Sequence, residues 1–136
     1  MVELEVDTES GKVKVLKMTT AVDAGPVINP QNLSGQLEGG MDMGVGFALR
    51  EEYVAGKTKD WKTFKFPGIR DTFDMEIIIK ETPRPKGPLG ATGVGEMCMV
   101  PTAPAVINAI KNATGVWICE LPATPEKIKA ALAAAR

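Results

Sequence analysis

The sequence predicts an α+β fold, with a β-hairpin and a mostly antiparallel sheet packed against a long glycine-rich helix and two C-terminal helices. Three observations lead there. The first 22 residues alternate apolar and polar side chains about a turn. An apolar stripe with a four-residue step then runs from Leu33 to Leu49. Two proline- and glycine-bounded apolar segments close the chain.

In the first element, Val2, Leu4 and Val6 alternate with Glu3 and Glu5, and Val13 and Val15 alternate with Lys12 and Lys14. Residues 7–11, Asp-Thr-Glu-Ser-Gly, separate them and supply a glycine for a left-handed turn position. This is a hairpin signature, with the second strand continuing to about Val22. Asn29-Pro30 is a helix start, with an N-cap and a proline at the first helical position. Leu33, Leu37, Met41, Val45 and Leu49 make one face of a helix over 30–52.

That helix contains Gly35, Gly39, Gly40, Gly44 and Gly46. Each interior glycine costs about 1 kcal/mol relative to alanine. Close packing against another element is the stronger explanation for most of them, and close approach of a ligand the weaker.

Residues 56–61 predict a polar turn, Thr63–Phe66 a short extended segment and Met75–Lys80 a strand. The prolines of 82–88 exclude helix and central strand. A helix over 102–113 takes Thr102 as N-cap and stops at Gly115, and Val116–Glu120 predicts a short strand. Thr124-Pro125-Glu126 opens the last helix with a cap, a proline and a first-turn acid. No composition shift marks a boundary, so residues 1–136 form a single domain.

Composition excludes several functions. The net charge of -1 gives no electrostatic basis for binding nucleic acid or an anionic membrane. No apolar run reaches bilayer-spanning length. Cys98 and Cys119 match neither a zinc nor a redox motif, and a reducing, cytoplasmic setting is expected. There is no histidine, which removes imidazole-based triads and most transition-metal sites from this chain. No metal ligands are assigned.

The most informative segment is Gly87-Pro88-Leu89-Gly90-Ala91-Thr92-Gly93-Val94-Gly95-Glu96. Its glycines strip side chains from a turn that ends in a carboxylate, so that backbone N–H groups can face an anion. It lacks the Gly-Lys-Ser/Thr ending of a P-loop and the spacing of a dinucleotide fingerprint. Taken alone, such a glutamate is more often a solvated surface residue than a catalytic one.

The segment resembles the GPxGxxGxGE motif of the molybdenum hydroxylases, the xanthine dehydrogenase and aldehyde oxidoreductase family. Ile28-Asn29-Pro30 with residues 35–40 (Gly-Gln-Leu-Glu-Gly-Gly) is similar to that family's INP…GQxEGG helix. Residues 105–110 with Ala113-Thr114-Gly115 resemble its PAxxNAI…ATG helix, and residues 121–128 its LPATPEKI. These segments stand in the family's order over nearly the whole chain.

The resemblance implies the C-terminal portion of a molybdopterin-binding domain in the large subunit. It implies a molybdenum-dependent oxidoreductase that hydroxylates aldehydes or N-heterocycles with oxygen from water. Glu96 aligns with the catalytic general base and Gln36 with a glutamine that hydrogen-bonds the pterin. Gly93 and Gly95 fall in the same cofactor pocket.

The family's large subunit is several times longer than this chain, and most of the segments that hold the pterin have no counterpart here. The expectation is therefore that the isolated chain lacks the cofactor and turnover. Its partners would be the remainder of the molybdopterin subunit, iron–sulfur and flavin components, and a small-molecule substrate. An apolar docking patch on the glycine face of the first helix, and self-association through it, are also expected. The rival reading is a catalytically silent scaffold or assembly module that keeps the fold. Where the family often has a proline-containing run after the glutamate, this chain has Met97-Cys98-Met99.

Overall fold

The computed structural model describes residues 1–135. Strand β1 (Val2–Val6) pairs antiparallel with β2 (Val13–Asp23), Val6 opposite Val13 and Val2 opposite Met18. The Asp7 carboxylate closes the hairpin by accepting from the Glu9 N–H (2.9 Å) and the Ser10 hydroxyl (2.7 Å). Gly11 takes φ +75°, and a side chain there would collide with the Pro125 carbonyl. This turn therefore requires glycine twice, for its backbone and for its neighbour.

The helix expected over 30–52 is α1 (Pro30–Leu49). Asn29 Oδ1 accepts from the Asn32 N–H at 3.0 Å, as an N-cap should. The Arg50 N–H ends the helix on the Gly46 carbonyl. Leu33, Leu37, Met41 and Val45 are buried, which is the predicted stripe.

Strand β3 (Asp74–Lys80) lies on the other edge of β2 and runs parallel to it, Lys17 opposite Asp74 and Asp23 opposite Lys80. The α+β class holds, but the three-stranded sheet, in the order β1-β2-β3, is mixed rather than mostly antiparallel. The reason is the connection. Parallel neighbours need a crossover of a dozen or more residues, usually a helix, and α1 lies between β2 and β3.

Three local expectations fail. Residues 63–66 are not extended, because α2 (Trp61–Phe64) forms a single helical turn there. The Asp60 carboxylate accepts from the Thr63 N–H at 2.8 Å, and Lys65 stops the turn at φ +66°. Helix α3 (Met99–Thr114) starts three residues before Thr102. Thr102 is not its N-cap; it is buried and its hydroxyl donates back to the Cys98 carbonyl at 2.6 Å. The strand expected over Val116–Glu120 is absent, since neither sheet edge is paired with these residues. Gly115 does end α3 in the left-handed region, and α4 (Pro125–Ala134) follows its predicted Thr124 cap.

The core lies between the inner sheet face and the helices. Leu37, Met41, Val106, Ile110 and Ile128 are fully enclosed. Along β1 and β3 every second residue packs inward, while Glu3, Glu5, Glu76 and Lys80 face out. Among the described residues no helix is long and apolar enough to cross a membrane.

Candidate functional site

Four of the five helical glycines divide into two groups. A side chain at Gly40 would lie 3.2 Å from Cys98 Cβ, and one at Gly44 would overlap Thr102. These glycines let the start of α3 seat directly on α1. By contrast, Gly35 and Gly39 face open space. Packing therefore accounts for the Gly40 and Gly44 face, which is covered; the exposed apolar side chains of α1 are Met43 and Phe47 instead.

Phe47 lines a groove of about 470 Å³ with Val100, Ile107, Trp117 and Leu121. The exposed apolar groove thus runs along α3 and takes in Phe47 of α1, rather than lying on the Gly40 and Gly44 face. Cys119 lines this groove and is exposed, whereas Cys98 is buried.

The glycine-rich loop is tied to the end of β2. Asp23 Oδ1 accepts from the N–H groups of Gly25 (3.2 Å) and Thr82 (3.0 Å), and Oδ2 meets the Arg84 guanidinium at 3.5 Å. The Thr92 N–H donates to the Ala24 carbonyl, and the Arg84 N–H to the Gly90 carbonyl. Leu89 and Gly90 both adopt positive φ to make the turn. A side chain on Gly25 would press on the Gly90 carbonyl, and one on Gly87 would collide with Ala91. Those glycines serve the loop's own folding.

The Thr82 N–H, more than any other neighbour, pulls the Asp23 carboxyl down from its ordinary 3.8 to about 2. A depressed carboxylate contributes fully above its unfolded value and is lost as pH falls through the folded one. The tether should therefore weaken between about pH 4 and pH 2. The protection factor of the Thr82 amide, its exchange rate corrected for the intrinsic pH dependence, should show this loss in the parent chain and stay flat in Asp23→Asn. Identical acid profiles for the two would contradict the tether.

Beyond the tether, Gly93 and Gly95 have open space where side chains would be. The backbone N–H groups of Gly93, Val94, Gly95 and Glu96 donate to no protein acceptor among the described residues. Gln36 Nε2 reaches across from α1 and donates to the Gly95 carbonyl at 2.5 Å. Gln36 and Gly95 therefore meet although they are 59 positions apart, and Gly93 and Glu96 lie on the same loop as Gly95.

Glu96 follows directly, exposed and outside every ion pair among the described residues. Its position is set from behind. The Met99 N–H donates to the Glu96 carbonyl at 3.1 Å, and Cys98 is wedged between Gly40 and the Thr20 hydroxyl, 3.6 Å from its sulfur. Cys98 is a packing residue here. Sequence reasoning missed the Asp23 tether, because an acid before Ala-Gly-Pro looks like any loop acid.

The arrangement can do two things. An exposed carboxylate on a restrained turn can accept a proton from a bound molecule. Beside it, unpaired amides, a polar side-chain amide and bare glycine surface can hold a flat, hydrogen-bonding group. A pterin has that shape and that donor and acceptor rim, so the residues present fit it. Among the described residues no group of three or more carboxylates or thiols is placed to hold a metal ion directly.

Comparison with known proteins shows the family of the chain. The model of the molybdopterin cofactor-binding domain family matches residues 1–73, which include Gln36. The chain is 42% identical over 136 residues to the aldehyde oxidoreductase of Megalodesulfovibrio gigas, covering 98% of this chain and 15% of that protein. It is 35% identical over 133 residues to the xanthine dehydrogenase molybdenum-binding subunit of Escherichia coli O157:H7, covering 93% of this chain and 18% of the relative.

The crystal structure of the aldehyde oxidoreductase from Desulfovibrio desulfuricans superposes with a TM-score of 0.93 at 41% identity, over 96% of this chain and 15% of the other. Quinoline 2-oxidoreductase from Pseudomonas putida gives 0.91 at 30%, over 97% and 18%. The chain belongs to the molybdopterin cofactor-binding domain family and corresponds to a segment of the molybdopterin-binding part of the molybdenum hydroxylases. It spans less than a fifth of the length of these relatives.

Proposed function

We propose that this chain supplies the general base, Glu96, and one wall of the pterin pocket to a molybdenum hydroxylase acting on an aldehyde or an N-heterocycle. The observation that carries this reading is the Gln36–Gly95 hydrogen bond, which fastens the cofactor-side helix to the turn bearing Glu96. Gln36, Gly93 and Gly95 would hold the pterin, with the Gln36 Oε1 atom and the loop amides as its polar contacts. When bound, the molybdenum cofactor supplies the two-electron redox chemistry. Glu96 would accept, on a carboxylate oxygen, the proton given up by the water-derived hydroxyl that attacks the substrate carbon, and its exposed position would let it return that proton to water.

The rest of the pocket comes from the remainder of the molybdopterin-binding subunit, and electrons leave through iron–sulfur and flavin components. Alone, the chain offers too few contacts to retain the cofactor, and it is inactive. The groove between Phe47 and Trp117 is covered when the remainder docks.

Gln36 is exposed, so replacing it disturbs little packing. Gln36→Leu in the assembled enzyme should lower molybdenum and pterin content several-fold while destabilising the chain by no more than the roughly 0.5–1.5 kcal/mol of one hydrogen bond. Parent-level cofactor content in that variant would remove Gln36 from the pocket.

A further inference from the structure

The net charge of -1 conceals a local imbalance. Residues 57–70 contain five cations, Lys57, Lys59, Lys62, Lys65 and Arg70, and one acid, Asp60. All five cations are exposed, and none forms an ion pair among the described residues. Asp60 does not answer them, because its Oδ1 is engaged by the N–H and the hydroxyl of Thr63, each at 2.8 Å.

An aromatic cluster sits amid these cations. Trp61 meets Phe64 and Phe66 edge to face, with ring centroids 6.3 and 5.6 Å away. Trp61 is 74% exposed, Phe66 52% and the neighbouring Ile69 92%. Such a surface is costly to leave in water, yet its local structure is firmly specified. The Asp60–Thr63 capping box forms α2, the left-handed Lys65 turns Phe66 back onto Trp61, and the buried Pro67 packs over Gly46. Gly46 lies ten residues from Gln36 along α1, about 15 Å at 1.5 Å per residue, so this surface is separate from the cofactor pocket.

Exposed, preorganised aromatic side chains are the usual anchors of protein interfaces, and unpaired cations around them select an acidic counterpart. Interfacial membrane binding uses a longer amphipathic helix than the four residues of α2. We propose that residues 57–70 form a docking finger for an acidic surface on a companion polypeptide of the assembled enzyme. The existence of that assembly rests on the function proposed above; the finger and its preference do not.

The test uses the assembled, molybdenum-containing enzyme and zero-length carbodiimide coupling of lysine amines to carboxylates, read by mass spectrometry. Lys62 and Lys65 should couple to aspartates or glutamates of another polypeptide. The double charge reversal Lys62→Glu/Lys65→Glu should cut recovery of that polypeptide at least tenfold, and rising salt should mimic it in the parent. Both lysines are exposed, so the variant's thermal midpoint should match the parent's.

The inference is overturned if the enzyme carries molybdenum but these lysines stay uncoupled and the variant assembles normally. Links found only within this chain or to a second copy would overturn it too. So would charge-dependent binding of phosphatidylserine vesicles or oligothymidylate without links to another polypeptide. Failure of the proposed function instead appears as an assembly devoid of molybdenum, whichever way the lysines couple.

Discussion

Glu96→Gln in the assembled enzyme should reduce turnover at least about a hundredfold and leave bound molybdenum unchanged. Glutamine has nearly the same shape but cannot take up a proton at neutral pH. A positioned general base contributes about 10²- to 10⁴-fold to a reaction rate, which sets the size of the effect. The Glu96 side chain is exposed and enters no ion pair among the described residues, so the substitution breaks no contact that holds the turn. The restraints are elsewhere, at the Gly95 carbonyl, at Asp23 and at Cys98. Turnover and molybdenum content measured on one preparation separate the two roles. Parent-like turnover, or loss of most of the molybdenum, would contradict the assignment.

Gly44→Ala and Gly39→Ala should move stability in opposite directions, although both add one methyl group to the same helix. At Gly44 the new carbon would overlap Thr102 Cβ and approach Cγ2 to 2.6 Å. Thr102 is buried and holds the start of α3, so it has little room to retreat. Overpacking of this kind costs about 1–3 kcal/mol. At Gly39 nothing lies within 4 Å, and the gain in helix propensity is up to about 1 kcal/mol. Denaturant unfolding of the two variants beside the parent measures the contrast. Equal effects would mean that α1 and α3 do not pack as described.

The parts of the fold legible in the sequence are those specified by neighbours in the chain. Asn29-Pro30, Gly115 and Thr124-Pro125 mark helix ends because caps act within a turn. The alternation of Val2, Leu4 and Val6 reports a half-buried strand for the same local reason. The β2–β3 pairing is a different matter, since its direction depends on where α1 returns the chain. Thr63–Phe66 misleads because threonine and phenylalanine favour strands, while the Asp60 cap that overrides them lies just upstream.

The site divides in the same way. Glu96, Gln36, Gly93 and Gly95 are nominated from sequence only by the motifs they share with the molybdenum hydroxylases, since residue type alone marks none of them out. Their meeting is not legible, since no spacing rule brings α1 to a loop 59 residues on. The roles of Cys98, Gly40 and Asp23 are hidden too, because each depends on a partner distant in sequence. Residues 57–70 escape for another reason: a whole-chain charge of -1 averages away a local run of cations.

Recovery of the tagged chain from an extract of its native cells, with molybdenum and pterin assayed in the eluate, tests the central claim most directly. The expected result is a larger polypeptide bound to the chain, with molybdenum and pterin in near-equal amounts to it. A bound partner free of both, or a metal-free chain recovered alone, would contradict it.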